Sequence, residues 1–129
     1  MKILVVDDDP DIINALRVIL ENQQYTVIAA YNKNEGMEKA KREIPDLMIL
    51  DVMMEAMSDG FDLAKELRKL SEFKKTPIIM LTCIDSVTGV NFRSAFGNTE
   101  MLPVDAYLEK PVAPHELLAE IDKLIPKKT

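Results

Sequence analysis

The chain has 129 residues, 47% apolar and 29% charged, which is enough to fill the core of one ordinary soluble domain. A net charge of -6 argues against a nucleic-acid partner or an anionic membrane surface, because phosphate contacts need clustered Lys and Arg. A single cysteine, Cys83, excludes an intrachain disulfide and a cysteine-based zinc site. No apolar run is long enough for a signal peptide or a membrane span, so the expectation is a cytoplasmic protein.

Ile3 to Val6 is apolar at every position and stops at Asp7-Asp8-Asp9-Pro10, a buried strand followed by a helix start. Asp9 is the expected N-cap and Pro10 the first helical residue. Ile12, Ile13, Leu16, Ile19 and Leu20 then form one apolar stripe, with Asn22 as the stop. Tyr25 to Ala30 reads as a second strand. A weaker helix over 33–43 has a narrow face of Met37, Ala40 and Ile44, and Gly36 inside it either costs stability or permits close packing. After Pro45, the run Leu47-Met48-Ile49-Leu50 ends at Asp51. Apolar residues at every position mean a strand covered on both faces, the mark of a parallel sheet between helices.

A Met-rich loop follows, then a helix from about Asp59 to Leu70 with Phe61, Leu63, Ala64, Leu67 and Leu70 inward. Ile78 to Leu81 is the fourth strand, ending at Thr82. The stretch 83–103 has no clean stripe and carries at most one irregular helix near 90–96. Val104 to Glu109 is the fifth strand, Lys110-Pro111 a turn, and Pro114 to Leu124 the last helix, with Leu117, Leu118, Ile121, Leu124 and Ile125 inward. The domain is expected over 1–125, with 126–129 a short basic tail and no second domain following. Five strands alternating with five helices give an α/β fold, a doubly wound five-stranded parallel sheet of order 2-1-3-4-5.

That order sets strands one and three side by side, so Asp7 and Asp8 land next to Asp51 at the carboxyl edge. Carboxylates brought together repel one another unless a proton or cation lies between them. An all-oxygen donor set points to Mg2+ or a similar hard metal. Strands four and five end at Thr82 and near Lys110, a hydroxyl and an ammonium facing the acids. Such a pocket suits a group with several anionic oxygens and phosphoryl transfer onto a carboxylate. Taken singly, each of these residues is as well explained by capping or solvation. It is their arrival from four of the five strand ends that carries the signal.

The chain resembles the receiver domain of two-component response regulators over essentially its whole length. The resemblance rests on the stretches 3–9, 45–54, 77–82 and 106–111, which read ILVVDDD, PDLMILDVMM, PIIMLT and AYLEKP. It implies that Asp51 takes a phosphoryl group from a sensor histidine kinase. It further implies that Asp8, Asp51 and the Met53 carbonyl bind Mg2+, with Asp7 beside the metal through water. Thr82 would bond a phosphoryl oxygen, Lys110 would pair with Asp51 and then the phosphate, and Lys110-Pro111 would be a cis bond. Tyr107 would be the aromatic switch residue. The protein would be a signalling phosphoprotein that catalyses only its own phosphorylation and dephosphorylation. It would act on a downstream protein, with homodimerisation as a further possibility.

Two departures stand out. The loop after Asp51 has Glu55 where the family has proline, and Ser58 is an additional residue. The segment from Thr82 to Lys110 exceeds the usual family spacing, which predicts a displaced or partly unwound helix and a non-standard partner surface there. Met53 and Ile84 are expected to shield the acyl phosphate from water. Cys83 is expected to be a buried inert thiol, His115 a solvated residue, and the methionines core and loop filler rather than a soft-metal site.

Three other readings compete. A haloacid-dehalogenase-like phosphatase would use Asp7 and Asp9 but leaves Asp51 no role. A flavin module would find Asp7-Asp8-Asp9 repelling its phosphate. A receiver that binds partners without phosphorylation would not need the acidic, hydroxyl and amine residues.

Overall fold

Strand β3 (Leu47–Asp51) is buried at all five positions and lies at the centre of the sheet. On either side run β1 (Lys2–Val6) and β4 (Ile78–Thr82), with β2 (Thr26–Ala30) and β5 (Ala106–Glu109) at the edges. All four pairings are parallel, and the order is β2-β1-β3-β4-β5. The computed structural model describes residues 1–51, 59–82, 105–109 and 112–125.

Strand alternation sorts the apolar residues into two cores. Ile3, Val5, Leu47, Ile49, Ile79 and Leu81 pack with Ile13, Leu16 and Leu20 of α1 (Pro10–Glu21) and Leu117 and Ile121 of α4 (Pro114–Leu124). Leu4, Val6, Met48, Leu50, Ile78 and Met80 pack with Ala40 of α2 (Lys33–Glu43) and Leu63, Ala64 and Leu67 of α3 (Asp59–Arg68). With a core on each side, a polar residue at any of these strand positions would lack water on either face. This is why the runs do not alternate.

The helix starts follow local chemistry. Asp9 caps α1, its side chain accepting from the Asp11 amide at 2.9 Å, with Pro10 opening the helix. Asn32 caps α2 by accepting from the Glu35 amide at 2.8 Å, while Glu35 accepts in return from the Tyr31 amide at 3.1 Å.

Four sequence expectations need correction. Ile44 does not extend the apolar face of α2. It is the helix C-cap in the left-handed region (φ 47°) and is 49% exposed. Tyr25 precedes β2 and is buried against α1, its amide donating to the Leu20 carbonyl at 3.2 Å. Helix α3 ends at Arg68, and a single 3-10 turn (Ser71–Phe73) leads to β4. Strand β5 starts at Ala106 rather than Val104. The readings on residues 83–104, including the irregular helix, Cys83 and Ile84, lie outside the described residues, as does the loop 52–58.

The edge where the strands begin is tied by polar bonds. The Lys2 amide donates to Asp46 at 2.8 Å, and Lys2 Nζ pairs with Glu43 at 3.5 Å. Arg68 bonds the carbonyls of Phe73, Lys74 and Thr76 and pairs with Asp105 at 2.7 Å. No helix among the described residues is long and apolar enough to cross a membrane.

Candidate functional site

At the opposite edge, β1 and β3 run out into carboxylates. The last β1–β3 pair is Val6 with Leu50, so the next residues on the two strands are Asp7 and Asp51. One carboxylate oxygen from each of Asp7, Asp8 and Asp51 lies within 4.8 Å of the others. Asp7 is fully buried, Asp51 is 4% exposed, and Asp8 is open to solvent. The cluster therefore has a shielded floor and an accessible side.

Asp7 is held from both of its polar ends. Its amide donates to the Ala30 carbonyl at 3.1 Å, and its Oδ1 accepts from the Asp9 amide at 2.9 Å. The second bond closes a tight turn that carries the chain from β1 into α1. Its donor was not among the sequence candidates, although a carboxylate two residues before a helix-capping Asp is a recognisable pattern for it. The positive end of the α1 dipole also lies beside the acids.

Three clustered carboxylates, two of them out of water, repel one another, and a hard divalent ion is the group their oxygens would satisfy. The donor set therefore fits a metal ion. Thr82 ends β4 in register with Glu109, two residues past Met80, the partner of Tyr107. Tyr107 is half-buried and packs against the core on the α2–α3 side. Met53, Lys110 and Pro111 lie outside the described residues, and the Thr82 side chain is likewise not described. His115 is exposed on α4.

A doubly wound domain with an acidic cluster where its strand order reverses belongs to the class of α/β folds that bind their ligands at that edge. Residues 3–122 match the response regulator receiver domain family, and the chain belongs to it. It is 38% identical over 124 residues to the alkaline phosphatase synthesis transcriptional regulatory protein PhoP of Bacillus subtilis, covering 96% of this chain and 48% of that one. An uncharacterised 14.6 kDa protein of Leptolyngbya boryana is 39% identical over 120 residues, covering 92% of this chain and 85% of that one. The chain thus spans about half the length of PhoP and most of the second relative.

Among solved structures, chemotaxis protein CheY4 of Vibrio cholerae superposes with a TM-score of 0.82 at 30% identity, covering 96% of this chain and 98% of that one. Response regulator TrrA of Thermotoga maritima, solved in complex with Mg2+-BeF, gives a TM-score of 0.78 at 31% identity with the same coverage. The chain is a two-component receiver domain, a signalling protein of a family whose members accept a phosphoryl group and work with histidine kinases and downstream effectors.

Proposed function

We propose that Asp51 is the phosphoacceptor of this receiver and that Asp7, Asp8 and Asp51 hold Mg2+ for the transfer. The observation that carries this is the convergence of these three carboxylates at the ends of β1 and β3. An Asp51 oxygen attacks the donor phosphorus, forming an acyl phosphate as the bond to the donor histidine nitrogen breaks. The released imidazole takes its proton from solvent. When bound, the metal supplies charge neutralisation, so that an anionic donor can approach three acids.

Burial of Asp7 and Asp51 strengthens these charge interactions over their value in water. Asp8, being exposed, can receive the incoming metal with its waters. The Met53 carbonyl would complete the metal ligands. Thr82 and Lys110 would satisfy the new phosphoryl oxygens, and Tyr107 would follow Thr82 inward as the switch. Contacts made only in the phosphorylated form are what shift a two-state equilibrium. The phosphoryl donor is a sensor histidine kinase, and the output is a contact with a downstream protein. The receiver unit is residues 1–125, followed by a basic tail.

Labelling with acetyl phosphate and Mg2+ tests the assignment. The wild type takes label and Asp51→Asn takes none. Full labelling of Asp51→Asn would remove Asp51 from the role.

A further inference from the structure

Asp105 and Arg68 sit at the edge away from the acids, yet they bear on what β5 delivers to that site. Among the described residues, the four-residue strand β5 pairs with β4 alone, so one short ladder carries its register. Asp105, immediately before it, grips Ile78 twice. The Asp105 amide donates to the Ile78 carbonyl at 2.8 Å, and Asp105 Oδ2 accepts from the Ile78 amide at 2.8 Å. The same Oδ2 accepts from Arg68 Nη2 at 2.7 Å.

Arg68 is itself held in place. Its Nη1 donates to the carbonyls of Phe73, Lys74 and Thr76 at 2.8, 3.1 and 2.6 Å. These carbonyls line the irregular path into β4, so one planar guanidinium fixes that path and the carboxylate just before β5. The pair is partly exposed, with Arg68 at 20% and Asp105 at 39% side-chain accessibility. As an isolated ion pair it would contribute little to stability. Its geometric effect is larger, because side chains alternate along a strand. A slip of one residue would move Tyr107 from the α2–α3 side to the α1–α4 side and shift Lys110, the residue that follows β5 in sequence, by one position.

We propose that Arg68 and Asp105 are positioning residues for the phosphoryl site, holding β5 in the register that pairs Tyr107 with Met80. The inference rests on the reading of Asp51 as phosphoacceptor. The acid cluster itself is carried by β1 and its exit turn and by β3, so loss of the β5 register, which would only move the Lys110 ammonium relative to Asp51, is not expected to weaken its metal binding.

The test compares the wild type with Asp105→Ala, Asp105→Asn and Arg68→Lys, all held well below their melting temperatures. Three quantities are measured: the rate of labelling by acetyl phosphate, Mg2+ affinity by calorimetry, and the Met80–Tyr107 cross-strand contact by NMR. Asp105→Ala is expected to label about tenfold more slowly, as a barrier change near 1.4 kcal/mol gives, with no loss of Mg2+ affinity. Asp105→Asn, whose amide oxygen still accepts from Ile78, is expected to fall between. A labelling rate for Asp105→Ala within about twofold of wild type, an intact Met80–Tyr107 contact in every variant, or a loss of Mg2+ affinity equal to the loss of labelling rate would each overturn the proposal. If Asp105→Ala does not fold, Arg68→Lys and Asp105→Asn decide by the same criteria. A wild type that takes no label would refute the phosphoacceptor reading instead, and the NMR contact would still decide whether these two residues hold β5.

Discussion

Ile44 closes helix α2 at φ 47° and ψ 68°, a backbone region in which a β-branched side chain meets its own carbonyl. Its amide still donates to the Ala40 carbonyl at 2.9 Å, so the residue gives up backbone comfort to end the helix just before Pro45. Because the side chain is 49% exposed, little burial is lost by replacing it. Ile44→Asn is expected to stabilise the domain by about 1 kcal/mol. That would raise the thermal midpoint by about 3–5 °C, and an unchanged or lower midpoint would count against the strain. The misassignment of Ile44 to the apolar stripe has the same root. Spacing places a residue on a face only while the helix continues, and the left-handed turn removes it.

Tyr25 makes a second residue-level prediction. Burial, and then the Asp122 carboxylate, hold its phenol above the ordinary 10.0. Below that pH the phenol is neutral in both states and has no effect on stability. Above it, the unfolded chain loses the proton first, so stability falls as pH rises until the folded phenol also ionises. Denaturant melts of Tyr25→Phe from pH 9 upward are expected to show a shallower decline than wild type. Parallel curves would contradict the assignment.

At the scale of elements, Gly36 explains how closely α2 sits on the sheet. A Cβ built there would lie 3.0 Å from Val6 and 3.0 Å from Leu63, both fully buried. Alanine would gain about 1 kcal/mol of helix propensity, but overpacking of this kind costs about 1–3 kcal/mol. Gly36→Ala is expected to be net destabilising in denaturant melts, and a gain in stability would show that the helix can lift away without penalty. The open edge of β2 is handled by the same helix. Parallel alternation turns the Ala29 carbonyl outward, and Lys39, paired with Glu35 at 3.4 Å, donates to it.

Helices α2 and α4 could be bounded from sequence because an end of each carries chemistry of its own, Pro45 after the first and Pro114 at the start of the second. The two-sided burial of β3 was equally plain from its unbroken apolar run. The Arg68–Asp105 tie was not, since no local pattern joins residues 37 apart in sequence. The start of β5 was set too early for a related reason. Asp105 reads as one more strand residue, but its side chain is committed to Ile78 and Arg68. Of the site, Asp7, Asp8 and Asp51 were legible because strand order alone brings them together. The part played by the Asp9 amide had only a local pattern to show it, a carboxylate two residues before a helix-capping Asp.

Among the described residues, the two edges of the sheet carry different polar groups. Where the strands begin, acids meet bases, Lys2 with Glu43 and Arg68 with Asp105. Where β1 and β3 end, three carboxylates gather instead. A divalent cation held by these acids would bind the folded state alone, and such binding must raise stability. Saturating Mg2+ at about a hundred times its dissociation constant is expected to add about 2.7 kcal/mol, read as a rise in the thermal midpoint. Asp8→Ala is expected to lose most of that rise. A midpoint unmoved by Mg2+ in the wild type would argue that the acids do not act together.

The most direct measurement is chemical trapping of the acyl phosphate. The protein is treated with acetyl phosphate and Mg2+, reduced with borohydride and mapped by peptide mass spectrometry. The account predicts homoserine at position 51 and nowhere else. Reduction at Asp7, Asp8 or a residue outside the cluster, with Asp51 intact, would contradict it.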